Sequence, residues 1–290
     1  MIRALLAASR PKTLPAALVP VWVGTALAWR LEGAFSLVLA TCTLASAVLI
    51  QIGTNFFNDV IDFRKGADTS GRIGPVRVTA SGLLAPRVVF LMGAVALVLA
   101  ALAAWPLVLA RGWPILAIGL PSLYFAFGYT GGPWPLAYRG LGEVFVILFF
   151  GLVAVAGTVF VQTGGWPPQA WLLGVQVGCL STALIAINNL RDADGDRVAG
   201  KRTLAVRFGT EWARREVAVL LWLPLVVGLA WIPLGLVGAA LAPLILVPGV
   251  WMLSRRILRH PPGRWLNKAL ALASLILVSF AALFHIGLRW

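Results

Sequence analysis

A chain of 290 residues that is 60% hydrophobic and only 12% charged, with a mean hydropathy of +0.91, lies outside the composition of water-soluble domains, where about a quarter of residues are charged. This excludes a soluble globule and leaves a polytopic membrane protein, because each bilayer-crossing helix consumes about 20 apolar residues. The net charge of +14 is then a matter of topology and not a nucleic-acid footprint, so no nucleic-acid partner is expected.

Taken in chain order, apolar runs separated by charged or Pro/Gly-rich breaks predict nine transmembrane helices, over 13–29, 35–57, 88–109, 113–128, 141–163, 169–190, 217–234, 237–254 and 266–287. The expected fold is all-α, a single membrane-embedded domain over 1–290 with the nine helices in one bundle. The first run has the basic flank of a signal peptide, but eight further spans favour a retained helix. Cys42 and Cys179 both sit inside apolar runs and give neither a disulfide framework nor a zinc spacing.

Lysine and arginine mark the cytoplasmic side of a membrane protein. With nine spans, 21 of the 24 basic residues fall in the N-terminal segment and in the loops after the second, fourth, sixth and eighth helices. Only Arg30, Arg111 and Arg289 are left for the other face. The expected arrangement is therefore N-terminus inside and C-terminus outside, multi-pass in the plasma (inner) membrane.

All six aspartates lie in two segments, after the second and sixth predicted helices, on the same predicted cytoplasmic face. The first contains Asn58, Asp59, Asp62 and Asp68; the second contains Asn188, Asp192, Asp194 and Asp196. Residues four apart share a helix face, which aligns Asn58 with Asp62, and Asn188 with Asp192 and Asp196. Carboxylates repeated on one face repel unless a cation lies between them, and hard oxygen ligands suit Mg2+ held together with substrate phosphates. Basic residues interleave with the acids, which points to a metal-bridged polyphosphate and away from a simple cation site. Asp and Asn also cap helices, and basic loop residues also set topology; the pairing of two such clusters is what argues for chemistry.

Five further segments stand out: Arg10-Pro-Lys-Thr-Leu-Pro15, Gln51-Ile-Gly-Thr-Asn55 running into the first acidic cluster, Gly74-Pro-Val-Arg77-Val-Thr79, the stretch from Tyr129 to Glu143, and Asn188-Asn-Leu-Arg-Asp192 through Gly200-Lys-Arg-Thr-Leu-Ala205. On these segments the chain resembles the UbiA-type intramembrane prenyltransferases. The Tyr129 to Glu143 stretch is similar to the naphthoate-prenylating branch. Two departures stand out. The Asn-x3-Asp-x3-Asp pattern fits at Asn188, Asp192 and Asp196, but the first motif has Gly66 at its third position, leaving Asp59 or Asp68 as the third ligand. A family Tyr-x3-Lys pattern is also absent, since Pro133 stands four after Tyr129.

The resemblance implies Mg2+-dependent transfer of a prenyl group from a polyprenyl diphosphate to 1,4-dihydroxy-2-naphthoate, with loss of diphosphate and carbon dioxide. It implies catalytic roles for Asp62, Asp192 and Asp196, and metal binding by Asn58, Asp59, Asp62, Asp68, Asn188, Asp192 and Asp196. Lys65, Arg77, Lys201 and Arg202 are the diphosphate candidates. Arg139 or Arg10 would meet the aromatic carboxylate, and Tyr129, Tyr138 and Phe149 would face the allylic cation through their rings. Glu143 is read as a helix cap. Other acceptors in the same family (4-hydroxybenzoate, homogentisate or chlorophyllide) are the alternatives within this reading. A transporter is the rival outside it, but transporter coupling sites lie near the membrane midplane, not at one face. A CDP-alcohol phosphotransferase would require an Asp-Gly-x2-Ala-Arg opening, whereas Asp194-Gly195 is followed by Asp196-Arg197.

Overall fold

The computed structural model describes residues 2–67, 73–74 and 77–290. Asp68 and Arg72 therefore lie outside the described residues, and with Asp68 one of the two candidates for the third ligand of the first motif. Among the described residues the chain consists of helices and short connections, without a β-strand.

A short helix α1 (Ile2–Ala8) and a 3-10 turn at Pro11–Thr13 precede α2 (Pro15–Glu32). Then come α3 (Leu37–Arg64), α4 (Pro86–Arg111), α5 (Trp113–Gly128), α6 (Gly142–Thr163) and α7 (Pro168–Val198). The chain ends with α8 (Leu204–Phe208), α9 (Thr210–Gly228), α10 (Val237–Arg259) and α11 (Leu266–Gly287). Proline opens α2, α4 and α7, where its missing N–H costs no helical hydrogen bond. Ser36 caps α3, its hydroxyl accepting from the Leu39 amide at 3.3 Å.

Each expected run overlaps a helix, yet six helices are long and apolar enough to cross a membrane by themselves, or seven if the bent pair Ile2–Thr13 and Pro15–Glu32 counts as one span. Three local features account for the difference from nine. The first run belongs to that bent pair, with an angle of 55°. The helix α5 has only 16 residues. Finally, α9 carries Glu211, Arg214, Arg215 and Glu216 in its first two turns and passes into a 3-10 turn at Leu229–Trp231.

The bundle is built around α7. In its most apolar window 78% of the residues are buried, against 17% in α3 and 22% in α4. It packs against α2, α6, α9 and α11, and these five helices together with α10 supply most of the main apolar core. The crossing with α6 is close because small residues face each other: a Cβ at Gly178 would lie 3.1 Å from the Ile147 carbonyl oxygen, and one at Gly151 would press on the Gly174 carbonyl. Near this crossing α6 widens into a π-helical segment at Ile147–Val153. The outward faces of the bundle remain apolar, with Leu91, Leu99, Leu102, Trp105 and Leu109 of α4 all exposed. Such a surface is stable in lipid and not in water, so the chain is a multi-pass membrane protein.

Candidate active site

The last turns of α3 and α7, more than a hundred residues apart in sequence, meet at one end of the bundle. The i, i+4 spacing puts Asn58 and Asp62 of α3, and Asn188, Asp192 and Asp196 of α7, on the wall of one cavity. Lys201 joins the two ends. Its Nζ lies 2.9 Å from an Asp62 oxygen and 3.9 Å from Asp196, and its own backbone amide donates to the Asp196 carbonyl at 2.8 Å.

Buried carboxylates need compensating donors, and each acid here has them. Asp62 is 3% exposed; it also receives Arg77 Nη2 at 3.1 Å and the Tyr138 hydroxyl at 3.1 Å. Arg191 grips Asp192 through two parallel hydrogen bonds of 2.8 and 2.7 Å, and is itself braced by Asn267 at 2.8 Å. The Asn58 side-chain carbonyl accepts from the Thr130 hydroxyl.

Behind this polar mouth the cavity has a volume of about 540 Å³. It touches α3 from Thr43 to Asp62. At 1.5 Å per residue that stretch is about 28 Å long, close to the thickness of a bilayer core. A space so long for its volume fits a slender chain. Its middle is lined by an aromatic cluster in which Phe145 stacks on Phe149 at 4.3 Å, with Phe125 and Tyr129 at their edges. Its far end is closed by apolar residues such as Leu107, Ile115 and Val161.

Several residues singled out in the sequence come to this cavity, and others do not. Asp59 borders the cavity, but its two oxygens are taken up by the backbone amides of Val78 and Thr79 at 3.2 and 2.9 Å. It thereby anchors the loop that delivers Arg77. Arg10 lies on the cavity wall, alone among described non-glycine residues in having a positive φ, at 50°. That costly conformation is held by its neighbours. The Asn55 side chain donates to Ser9 O at 2.8 Å, and the Thr13 hydroxyl donates to Arg10 O at 3.0 Å.

Lys65 sits at the rim, donating to the Thr130 carbonyl at 3.1 Å with its ammonium 3.8 Å above the Tyr138 ring. Partial burial, reinforced by the Lys201 charge and opposed by Asp62, lowers its pKa below that of an ordinary lysine. The Tyr138 ring thus faces ammonium groups at the mouth, while Tyr129 and Phe149 lie deeper. Arg139 and Arg202 are exposed and off the cavity wall; the Arg139 guanidinium stacks on Trp134 at 4.0 Å. One residue read only as a cap, Glu143, lines the cavity and is held by Asn189 at 2.7 Å.

The mouth offers oxygen donors from Asn and Asp without histidine or cysteine, a set that fits a hard divalent cation such as Mg2+. Among the described residues no three His, Cys, Asp or Glu side chains are gathered closely enough to hold a metal; Lys201, Arg77 and Arg191 hold the carboxylates in this arrangement.

The family model of the UbiA prenyltransferase family matches residues 17–276, and the chain belongs to that family. Among relatives, the 1,4-dihydroxy-2-naphthoate octaprenyltransferase of Escherichia coli is 40% identical over 225 residues, covering 76% of this chain and 73% of that protein. The Mycobacterium tuberculosis protein of the same name is 40% identical over 240 residues, covering 81% and 82%. The fold is shared with the UbiA homolog from Aeropyrum pernix, at a TM-score of 0.72 and 18% identity over 96% of this chain and 98% of that one. It is shared too with the UbiA homolog from Archaeoglobus fulgidus bound to DMAPP and Mg2+, at a TM-score of 0.65 and 17% identity over 97% and 98%.

Proposed function

We propose that this membrane prenyltransferase moves a polyprenyl group from its diphosphate to 1,4-dihydroxy-2-naphthoate, releasing diphosphate and carbon dioxide and giving demethylmenaquinone in its quinol form. The single observation that carries the reading is the Lys201 ammonium lying between Asp62 and Asp196, which makes two remote acidic helix ends one anion-and-metal mouth on a long apolar cavity. The naphthoate acceptor is supported by the names of the relatives at 40% identity.

In this mechanism Asn58, Asp62, Asn188, Asp192 and Asp196 would hold Mg2+, which when bound supplies charge neutralisation for the diphosphate leaving group. Arg77 and Lys201 bind the diphosphate oxygens as negative charge develops on them, and Lys65 approaches from the rim. The cavity holds the prenyl tail and excludes water from the allylic cation, which water would otherwise quench. The faces of Phe145, Phe149 and Tyr129 stabilise that cation. Arg10, fixed in its tight turn beside the mouth, meets the carboxylate of the naphthoate; Arg139 is too far outside the cavity wall to share that role. The whole chain acts as one domain of nine membrane crossings, its N-terminus and acidic mouth on the cytoplasmic side of the plasma membrane.

Detergent-solubilised protein incubated with Mg2+, 1,4-dihydroxy-2-naphthoate and prenyl diphosphates of graded length is the test. Demethylmenaquinol, or the demethylmenaquinone to which air oxidises it, detected by mass spectrometry with stoichiometric diphosphate release, is expected. Product from 4-hydroxybenzoate or homogentisate in its place would transfer the enzyme to another acceptor class.

A further inference from the structure

Glu143 stands in the first turn of α6 on the cavity wall, 4% exposed. Its Oε1 accepts from Asn189 Nδ2 at 2.7 Å, while Oε2 is buried and accepts nothing from the described residues. No ion pair reaches it among those residues. A carboxylate oxygen kept from water without a donor is unfavourable by itself, and such groups persist where a ligand supplies the missing donor. Capping α6 does not account for Oε2.

What the site lacks is a hydrogen-bond donor, so the diphosphate, which has only acceptors to offer, does not suit it. A ring hydroxyl does. We propose that Glu143 receives a hydroxyl of the aromatic acceptor, orients the ring toward the allylic carbon, and takes the hydroxyl proton as the new bond forms. The inference rests on the prenyl-transfer reading above. As the O–H bond breaks toward Oε2, its electron pair forms a ring carbonyl. The ring π electrons then bond the allylic carbon at the position bearing the carboxylate. When that carboxylate leaves as carbon dioxide, the pair of the broken C–C bond returns through the ring to the carbonyl oxygen, which takes the proton back from Glu143. The carboxylate is thus regenerated in each cycle, and the products are the prenylated quinol, carbon dioxide and diphosphate.

The alternative is that Glu143 only braces Asn189 beside the metal-binding face of α7. Wild type, Glu143→Gln and Glu143→Asp, each checked for an unchanged melting temperature, separate the two. The measurements are kcat and KM for the naphthoate, half-saturation by Mg2+ and by prenyl diphosphate, and slow diphosphate release without acceptor. Glu143→Gln is expected to lower kcat about 100-fold, with partial recovery in Glu143→Asp. Half-saturation by Mg2+ and prenyl diphosphate, and acceptor-independent diphosphate release, should stay within about twofold, since general acid–base groups act on the transferred proton and not on the leaving group. Unchanged kcat, or a loss confined to Mg2+ or diphosphate half-saturation, would overturn the inference. Failure of the wild type to prenylate any hydroxylated aromatic would instead sink the prenyl-transfer reading itself.

Discussion

At the scale of single residues, charge compensation organises the mouth. Asp62, buried, accepts from three side chains, and Asp192, half-buried, from one guanidinium fork. Replacing either by Asn keeps the shape and removes the charge on which the proposed diphosphate site depends. Asp62→Asn and Asp192→Asn are each expected to cut product formation by at least about 100-fold, the scale seen when a preorganised electrostatic group is lost. Lys201→Met should raise half-saturation by prenyl diphosphate about tenfold or more, and Lys201→Arg should recover only part of it, because a fork does not reproduce a point charge between two carboxylates; initial rates against prenyl diphosphate concentration measure both. The alignment of Asn58 with Asp62, and of Asn188 with Asp192 and Asp196, was legible in the sequence because i, i+4 spacing survives folding. The fate of Asp59 was not: one residue beyond Asn58 it points about 100° around the helix, and only the loop over Val78 and Thr79 reveals its partners. Arg139 and Arg202 show the limit of reading charge by proximity in sequence, since their neighbours reach the mouth while they remain exposed.

At the scale of helices, the site depends on how closely α6 approaches α7. The Gly151, Gly174 and Gly178 contacts bring the aromatic residues of α6 over the cavity beside the acids of α7. A bulky side chain at Gly178 must push the backbones apart, so Gly178→Leu is expected to destabilise the protein by about 1–3 kcal/mol. Thermal melting in detergent should show this as a lower Tm, together with lost activity even though no catalytic group is altered. Hydrophobic runs gave the positions of the helices well. They did not reveal the bend between α1 and α2, the π segment of α6 or the charged first turns of α9, because these depend on backbone hydrogen bonding and tertiary packing that apolar periodicity does not encode.

At the scale of the whole molecule, the proposed nine-span topology puts 21 of the 24 basic residues on one face, and on that proposal the mouth opens to the cytoplasm. In a background lacking Cys42 and Cys179, a cysteine replacing exposed Asp194 should react with a membrane-impermeant thiol reagent only from the cytoplasmic side. One replacing Glu32 should react only from the other. The reverse labelling would invert the topology. The central claim, that the ends of α3 and α7 form one diphosphate site, is tested most directly by a double-mutant cycle read by binding, with a radiolabelled prenyl diphosphate analogue that cannot ionise, in the presence of Mg2+. Asp62→Asn and Asp192→Asn should each weaken binding strongly, and the double variant should be far less impaired than the product of the two single losses, because both arms serve one bound ligand. Two independent losses that simply multiply, or single variants that bind like wild type, would contradict it.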